Sequence, residues 1–393
     1  MEDSQTSPSS NLDDAGNSTP NIPLDLTLEI LSRLPAKSLI RFQAVSKFWF
    51  SIIRSKDFVD SFLTRSKTRP RFLLTFKNFD SRKRFIFSAP EHQKNDKSST
   101  VFARHDMTIS ADRVYHIRCR PVNGFVCCTR GDSIAVCNPT TRQIVKLPDV
   151  ESNGRHVYAR LGYDPVEDQY KVLCVMFYDP YSAKCKRQGT QPEPYVFTLQ
   201  SQQKEWRKIE ITQGVAYRSV DGGICIDGAI YFGDGRSRIV RFDVRSETLE
   251  LIQAPENSLI TETSDSALLN YNGKLGGVDY NYTRETILWI LEDAEKQEWS
   301  ELRFARPSEW DDLLEDYFTS EGESHTGELI MVDSRLISSE PFSVCYYDFH
   351  RESLRRVEVQ GIADDEFRRV HGIGKRTREI LGFPGYVENI RFL

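Results

Sequence analysis

The stretch His371-Gly-Ile-Gly-Lys-Arg376 is the nearest approach in this chain to a phosphate-binding loop. Glycines there could turn backbone N–H groups toward an anion, and Lys375 would meet its charge. The first glycine of the full motif would fall at Arg369, however, and Arg376 stands where a Ser or Thr is required. The stretch therefore reads as an ordinary loop. The eight cysteines and seven histidines fare no better. No C-x-x-C pair occurs and no His stands at ligand spacing from a Cys, so neither a zinc site nor a redox motif is supported. Cys119, Cys127, Cys128, Cys137, Cys174, Cys225 and Cys345 lie mostly in apolar, strand-like stretches, and Cys185 in a polar loop. Reduced thiols acting as small hydrophobes are expected. No G-x-S-x-G and no His-Glu-x-x-His occurs. Catalytic residues, cofactor sites and metal ligands are accordingly all assigned as none.

Charge and hydropathy narrow the classes further. A net charge of -5 argues against a nucleic-acid protein, which usually carries a basic patch. The clusters Arg65 to Arg71 and Arg82 to Arg84 are short and read as solvated surface. No apolar run approaches the ~20 residues that span a bilayer. The opening MEDSQTSPSSNLDDAGNSTPN is acidic and polar, without the apolar stretch of a secretory signal, and is expected to be a disordered tail over residues 1–20. An intracellular protein of the cytoplasm or nucleus is expected, with Asn17 and Asn281 unglycosylated.

Elements become legible at Ile22 to Ile53, IPLDLTLEILSRLPAKSLIRFQAVSKFWFSII. Leu26, Ile30, Leu31 and Leu34 fall on one helical face, Pro23 suits a first turn, and Pro35 ends the run. Leu39 and Phe42 belong to a single following turn. Val45, Phe48, Trp49, Ile52 and Ile53 form a third stripe. So small a unit rarely builds an adequate core alone, and its surplus apolar groups must meet the rest of the chain or a partner.

The segment resembles an F-box, the helical module that docks a substrate receptor onto a cullin-based ubiquitin ligase. Ile22-Pro23, Glu29-Ile30-Leu31, Leu34-Pro35, Lys37-Ser38-Leu39, Arg41-Phe42, Val45-Ser46-Lys47 and Trp49 carry the resemblance. Ile22 departs slightly, since the family more often has leucine there.

After Phe62 the pattern changes from helical to alternating. Phe58, Val59, Phe62 and Leu63 suggest one last helical turn, and Thr64 to Arg71 reads as a hinge. A degenerate repeat follows: strand, polar anchor, turn, then two large apolar residues three apart. Its anchors are Asn138, Ile144 and Leu147; Gln200, Trp206 and Ile209; Asp243, Leu249 and Ile252; Glu292, Trp299 and Leu302; and Asp348, Leu354 and Val357. Phe76 to Ala89 is a weaker sixth copy. Asn123-Gly124, Asp227-Gly228, Asn272-Gly273 and Thr326-Gly327 open further strands. Copies roughly 40 to 60 residues apart have the spacing of propeller blades. The fold expected is a small all-α module at 21–63, a hinge at 64–71, and an all-β propeller of six blades at 72–393.

CNPTTRQIVKLP at Cys137, LGYDPVEDQYKVLCV at Leu161 and the closing GYVENIRFL are similar to the F-box-associated domain of plant F-box proteins. Together the two resemblances imply a substrate-recognition subunit of a Skp-cullin-F-box ubiquitin ligase, not itself an enzyme. The module would bind a Skp-type adaptor, and through it a cullin and a RING subunit. The propeller would hold a target protein. Adaptor contacts are expected at Ile22, Pro23, Ile30, Leu34, Pro35, Leu39 and Val45, while Phe48 and Trp49 fit the module's own core equally well. Two insertions, Phe177 to Tyr195 and Pro307 to Phe318, stand out as target-face candidates or tolerated surface loops. The alternatives are an adaptor-binding protein outside any ligase, and a small-molecule enzyme, such as a cyclase or lyase, whose distant residues converge on a propeller scaffold.

Overall fold

A computed structural model describes the chain from residue 22 onward, except 93–95, 97, 112–114, 179–191, 203, 211–221, 236, 262–266, 281–284, 306–317, 334, 338–339, 375 and 379. The expected tail, Cys185, Asn281 and most of both insertions lie outside the described residues.

Four helices open the described chain: α1 (Leu24–Ser32), α2 (Ala36–Phe42), α3 (Lys47–Arg54) and α4 (Lys56–Lys67). Their ends follow local chemistry. Pro23 and Pro35 sit at the N-caps of α1 and α2, where a missing N–H costs nothing. Ser46 Oγ accepts from Trp49 N–H at 3.1 Å and caps α3. The segment expected to be a hinge is instead helical up to Lys67, and the first strand begins at Arg71. Asp57 in the first turn and Arg65 and Lys67 in the last complement the helix dipole, so charges that looked like a break extend α4. Arg65 also donates to Ser32 Oγ of α1 at 2.9 Å. Helix α2 runs to seven residues rather than a single turn.

Leu31, Ala36, Leu39, Ile52, Ile53, Phe58, Val59 and Phe62 make the core of the helical module. Trp49 packs edge-on to Phe42, 5.1 Å between ring centroids. One member of this core comes from the far end of the chain: Ile390 is 1% exposed.

The remainder is a six-bladed propeller of antiparallel sheets. From the axis outward, blade 1 holds Leu381–Tyr386, Arg71–Asn78, Lys83–Pro90 and Arg104–Ser110. Blade 2 holds His116–Ile117, Val126–Arg130, Ser133–Asn138 and Gln143–Lys146, and blade 3 His156–Asp164, Gln169–Phe177, Glu193–Thr198 and Arg207–Lys208. Blade 4 holds Ile224–Ile226, Ala229–Gly233, Arg238–Asp243 and Thr248–Gln253, and blade 5 Ala267–Tyr271, Lys274–Tyr280, Glu285–Asp293 and Glu298–Ala305. Blade 6 holds Phe318–Glu323, Leu329–Asp333, Ser343–Asp348 and Ser353–Gln360. Apolar clusters between blades bury both faces of each sheet, for example Phe72, Phe87, Ile330 and Val344 between blades 1 and 6.

Two pairings close the ring. The last strand lies antiparallel to the first, with Arg71 opposite Tyr386 and Leu74 opposite Gly382. Thr100–Phe102, from the connection inside blade 1, adds in parallel to the outer edge of blade 6, Val101 opposite Val359. That edge is thereby covered.

The repeated polar anchors cap the turn between third and fourth strands. Asn138 Oδ1 accepts from Thr140 N–H at 3.0 Å, Asp243 Oδ1 from Arg245 and Ser246, and Asp348 Oδ1 from His350. In blade 5 the anchor is Asp293 rather than Glu292, because the register shifts between Leu291 and Asp293. Gln200 is too long for this turn and donates to Phe392 O at 3.1 Å instead. The sixth copy is also out of phase. Phe76 to Ala89 joins the second and third strands of blade 1, since the closing strand takes the innermost place.

Candidate partner-binding surface

Large apolar side chains left in water are concentrated on the helical module. Ile22, Leu24, Leu26, Ile30, Val45, Phe48 and Phe50 are all exposed, Val45 at 62%. Such a patch on so small a unit makes this the candidate interaction surface. Of the residues assigned from sequence, Ile22, Pro23, Ile30, Pro35 and Val45 are exposed, and Leu34 is half-buried against the module core. Leu39 is 0% exposed and belongs inside that core. Phe48, which the sequence leaves open between surface and core, is exposed, while Leu24, Leu26 and Phe50 are surface residues that the sequence reading does not single out. Their signal was an apolar arc too wide for one face. Helix α1 turns Leu31 to the core and Leu26 and Ile30 outward, because neighbours in a helix stand about 100° apart.

The module is fixed to the propeller by the end of the chain. Beside buried Ile390, Arg391 donates to Asp168 of the turn between the first two strands of blade 3, and to Asp60 of α4 at 2.7 Å. Lys56 reaches Asp60 at 2.7 Å and Asp168 at 2.6 Å. Burial alone would raise the Asp168 carboxyl, but bonds from Arg391, Lys56 and Tyr163 outweigh it and hold the group at about 2. The Arg54 guanidinium stacks 3.8 Å from the Phe392 ring centroid. Sequence reasoning missed this joint entirely, and apolar contact does cross the segment once read as a hinge.

On the module side, the turns between first and second strands surround a central depression of about 620 Å³. Every blade contributes, with Pro384, Asn123, Tyr163, Asp227, Asn272 and Glu323 among its walls. Burial pushes the Glu323 carboxyl up to about 7. Beside it, His325 Nδ1 meets the buried Glu91 carboxylate at 2.6 Å, which raises the imidazole pKa. Glu91 also accepts from the backbone N–H of Gly385 in the closing strand.

The opposite side has a different make-up. Antiparallel strand order sends the connections between second and third strands, and those between blades, to that side. Helix α5 (Asp365–His371) lies in one of them, capped by Asp364, whose carboxylate accepts from Phe367 N–H at 2.8 Å. Arg368 holds its loop by donating to Ala363 O, Gly374 O and Leu336 O. The half-phosphate loop at His371 thus begins at the C-terminal end of α5, not at a helix N-terminus, and its Lys375 lies outside the described residues. Among the described residues no His, Cys, Asp and Glu side chains group closely enough to hold a metal ion. The seven described cysteines are free, six of them buried. No described helix is long and apolar enough to cross a membrane.

Family comparison agrees with both halves. The F-box domain model matches residues 20–61 and the F-box associated beta propeller domain model matches 71–387. The chain belongs to the F-box proteins. F-box protein At1g30790 of Arabidopsis thaliana is 39% identical over 399 residues, covering 95% of this chain and 98% of that protein. F-box protein At1g53790 of the same plant is 35% identical, covering 95% of this chain and 82% of its own length. F-box protein DOR, also from Arabidopsis thaliana, is 35% identical, covering 87% and 88% respectively. In F-box terms, the exposed apolar patch lies within the F-box and the mouth and loop faces within its associated propeller.

Proposed function

We propose that this F-box protein is the substrate-recognition subunit of a Skp-cullin-F-box ubiquitin ligase, acting inside the cell. The observation that carries this reading is the exposed apolar patch Ile22, Leu24, Leu26, Ile30, Val45, Phe48 and Phe50. A Skp-type adaptor covers it and links the chain to a cullin and a RING subunit. The chain makes no bonds itself. It raises the effective concentration of target lysines beside a ubiquitin-charged enzyme, and the clamp at Arg391 limits how far the target can swing. The target is held on the side away from the F-box, where the long connections collect, with α5 among them.

Affinity purification of the full-length chain tests the reading. Adaptor, cullin and RING subunit should co-purify with the unaltered chain, and all three should be lost together from an Ile30→Asp, Val45→Asp variant. Retention of the adaptor without the cullin would instead favour an interaction protein outside a ligase.

A further inference from the structure

The seam between α2 and blades 1 and 2 contains a second, smaller cleft, of about 210 Å³. Lys37 and Arg41 enter it from the F-box, and Asp106, Thr141, Arg142 and Glu388 from the propeller side. Its cations outnumber their partners. Arg104 is engaged, bonding Asp106 Oδ1 at 2.6 Å and Glu388 Oε1 at 2.7 Å. Lys37, Arg41 and Arg142 form no ion pair among the described residues.

Two further atoms point to an occupant. The Asp106 side chain is 4% exposed, yet its Oδ2 has no hydrogen-bond partner among the described residues. Thr141 Oγ1 is buried and equally unpartnered. Buried polar atoms are rarely left unpaired, and both residues line this cleft. An occupant must therefore bring an anionic group for the three cations and a hydroxyl donor for Asp106 Oδ2. Guanidinium groups favour phosphate oxygens, and the cleft is smaller than a drug-sized pocket. We propose that this cleft binds a small organophosphate bearing at least one hydroxyl group. The phosphate lies among Lys37, Arg41 and Arg142. The hydroxyl donates to Asp106 Oδ2, and Thr141 bonds the same end. Since its walls belong to both the F-box and the propeller, the ligand bridges them.

Glycerol 3-phosphate is the probe, added to the full-length chain alone and with its adaptor, and followed by calorimetry and thermal shift. Glycerol, inorganic phosphate and sulfate at matched ionic strength are the controls. Glycerol 3-phosphate should bind and raise the melting temperature of the chain. Arg142→Asn should weaken binding at least tenfold. Asparagine tolerates the left-handed backbone there, φ 63, so this variant should still fold. Thr141→Val should weaken glycerol 3-phosphate more than inorganic phosphate. Absence of binding, binding unchanged by Arg142→Asn, or sulfate acting as strongly as glycerol 3-phosphate would each overturn the proposal.

Discussion

Arg391 and Asp168 meet through two parallel bonds, Nη1 to Oδ1 at 2.9 Å and Nη2 to Oδ2 at 3.2 Å. This forked geometry is the strong form of the ion pair, and Arg391 is 13% exposed, so solvent screens it little. Replacing Arg391 by Ala should destabilise the chain by about 1–3 kcal/mol, since Asp168 and Asp60 lose a charged donor. Hydrogen exchange gives the sharper reading. Amides of α3 and α4 should exchange faster, while those of blades 4 and 5 stay unchanged. A uniform change across the molecule would mean that the pair supports the whole fold and not the joint.

Burial separates two classes of apolar residue on the F-box. Ile30 and Val45 are 50% and 62% exposed, so changing both to Ala should leave thermal stability almost unaltered. Adaptor affinity should fall at least tenfold, as truncated interface anchors each cost about 2 kcal/mol or more. Leu39→Ala should behave in the opposite way, costing about 2–5 kcal/mol of stability by opening a cavity. Equal effects of the two changes on adaptor binding, at a temperature where both variants are folded, would contradict this division.

The Glu323 carboxyl, pushed up to about 7 by burial at the central depression, makes stability depend on pH in a definite direction. Its folded value lies above the ordinary carboxyl value of 4.5. The folded state thus holds a proton that the unfolded chain has released, and stability falls as pH rises from about 4.5 to about 7. His325, raised by its bond to Glu91, adds a loss of the same sign as pH climbs from the ordinary imidazole value of 6.5 through its raised folded value. Glu323→Gln should flatten the first of these falls and leave the second. Melting temperatures measured across this range check it, and an unchanged slope below pH 6.5 would refute the assignment.

Gly382 is the tightest point of ring closure. A Cβ there would stand 2.5 Å from Phe72 Cζ and 2.9 Å from Val332 Cγ2, wedged between blades 1 and 6. Gly382→Ala should cost about 1–3 kcal/mol through overpacking. Denaturant unfolding would detect it, and an unaltered midpoint would mean that Phe72 has room to rotate away.

Local chemistry made much of this fold legible. Pro23 marked a helix start, Pro35 marked the break after the first helix, and the anchors Asn138, Asp243 and Asp348 marked turns, because each acts on backbone within three residues. What depends on distant partners was not legible. Leu39 and Ile30 are alike as apolar helical residues, and only packing with Ile52, Phe58 and Ile390 decides which is covered. The clamp of Asp60, Asp168 and Arg391 draws on three separated stretches and leaves no periodic trace. Blade 1 was read out of phase for the same reason: its innermost strand is the last in the chain.

That last pairing also sets a timetable for synthesis. Arg71 finds Tyr386 only after the ribosome has added some three hundred further residues. At 5–20 residues per second this is roughly 15–60 s, during which blade 1 has an open inner edge. Blade 6 in turn takes Thr100–Phe102, made long before it, onto its outer side. The nascent propeller is thus a strip with two unpaired borders until its final residues emerge. A transcript truncated before Leu381 would yield a chain whose F-box is complete in its four helices but lacks Ile390, beside a strip that never becomes a ring and is exposed to aggregation and proteolysis.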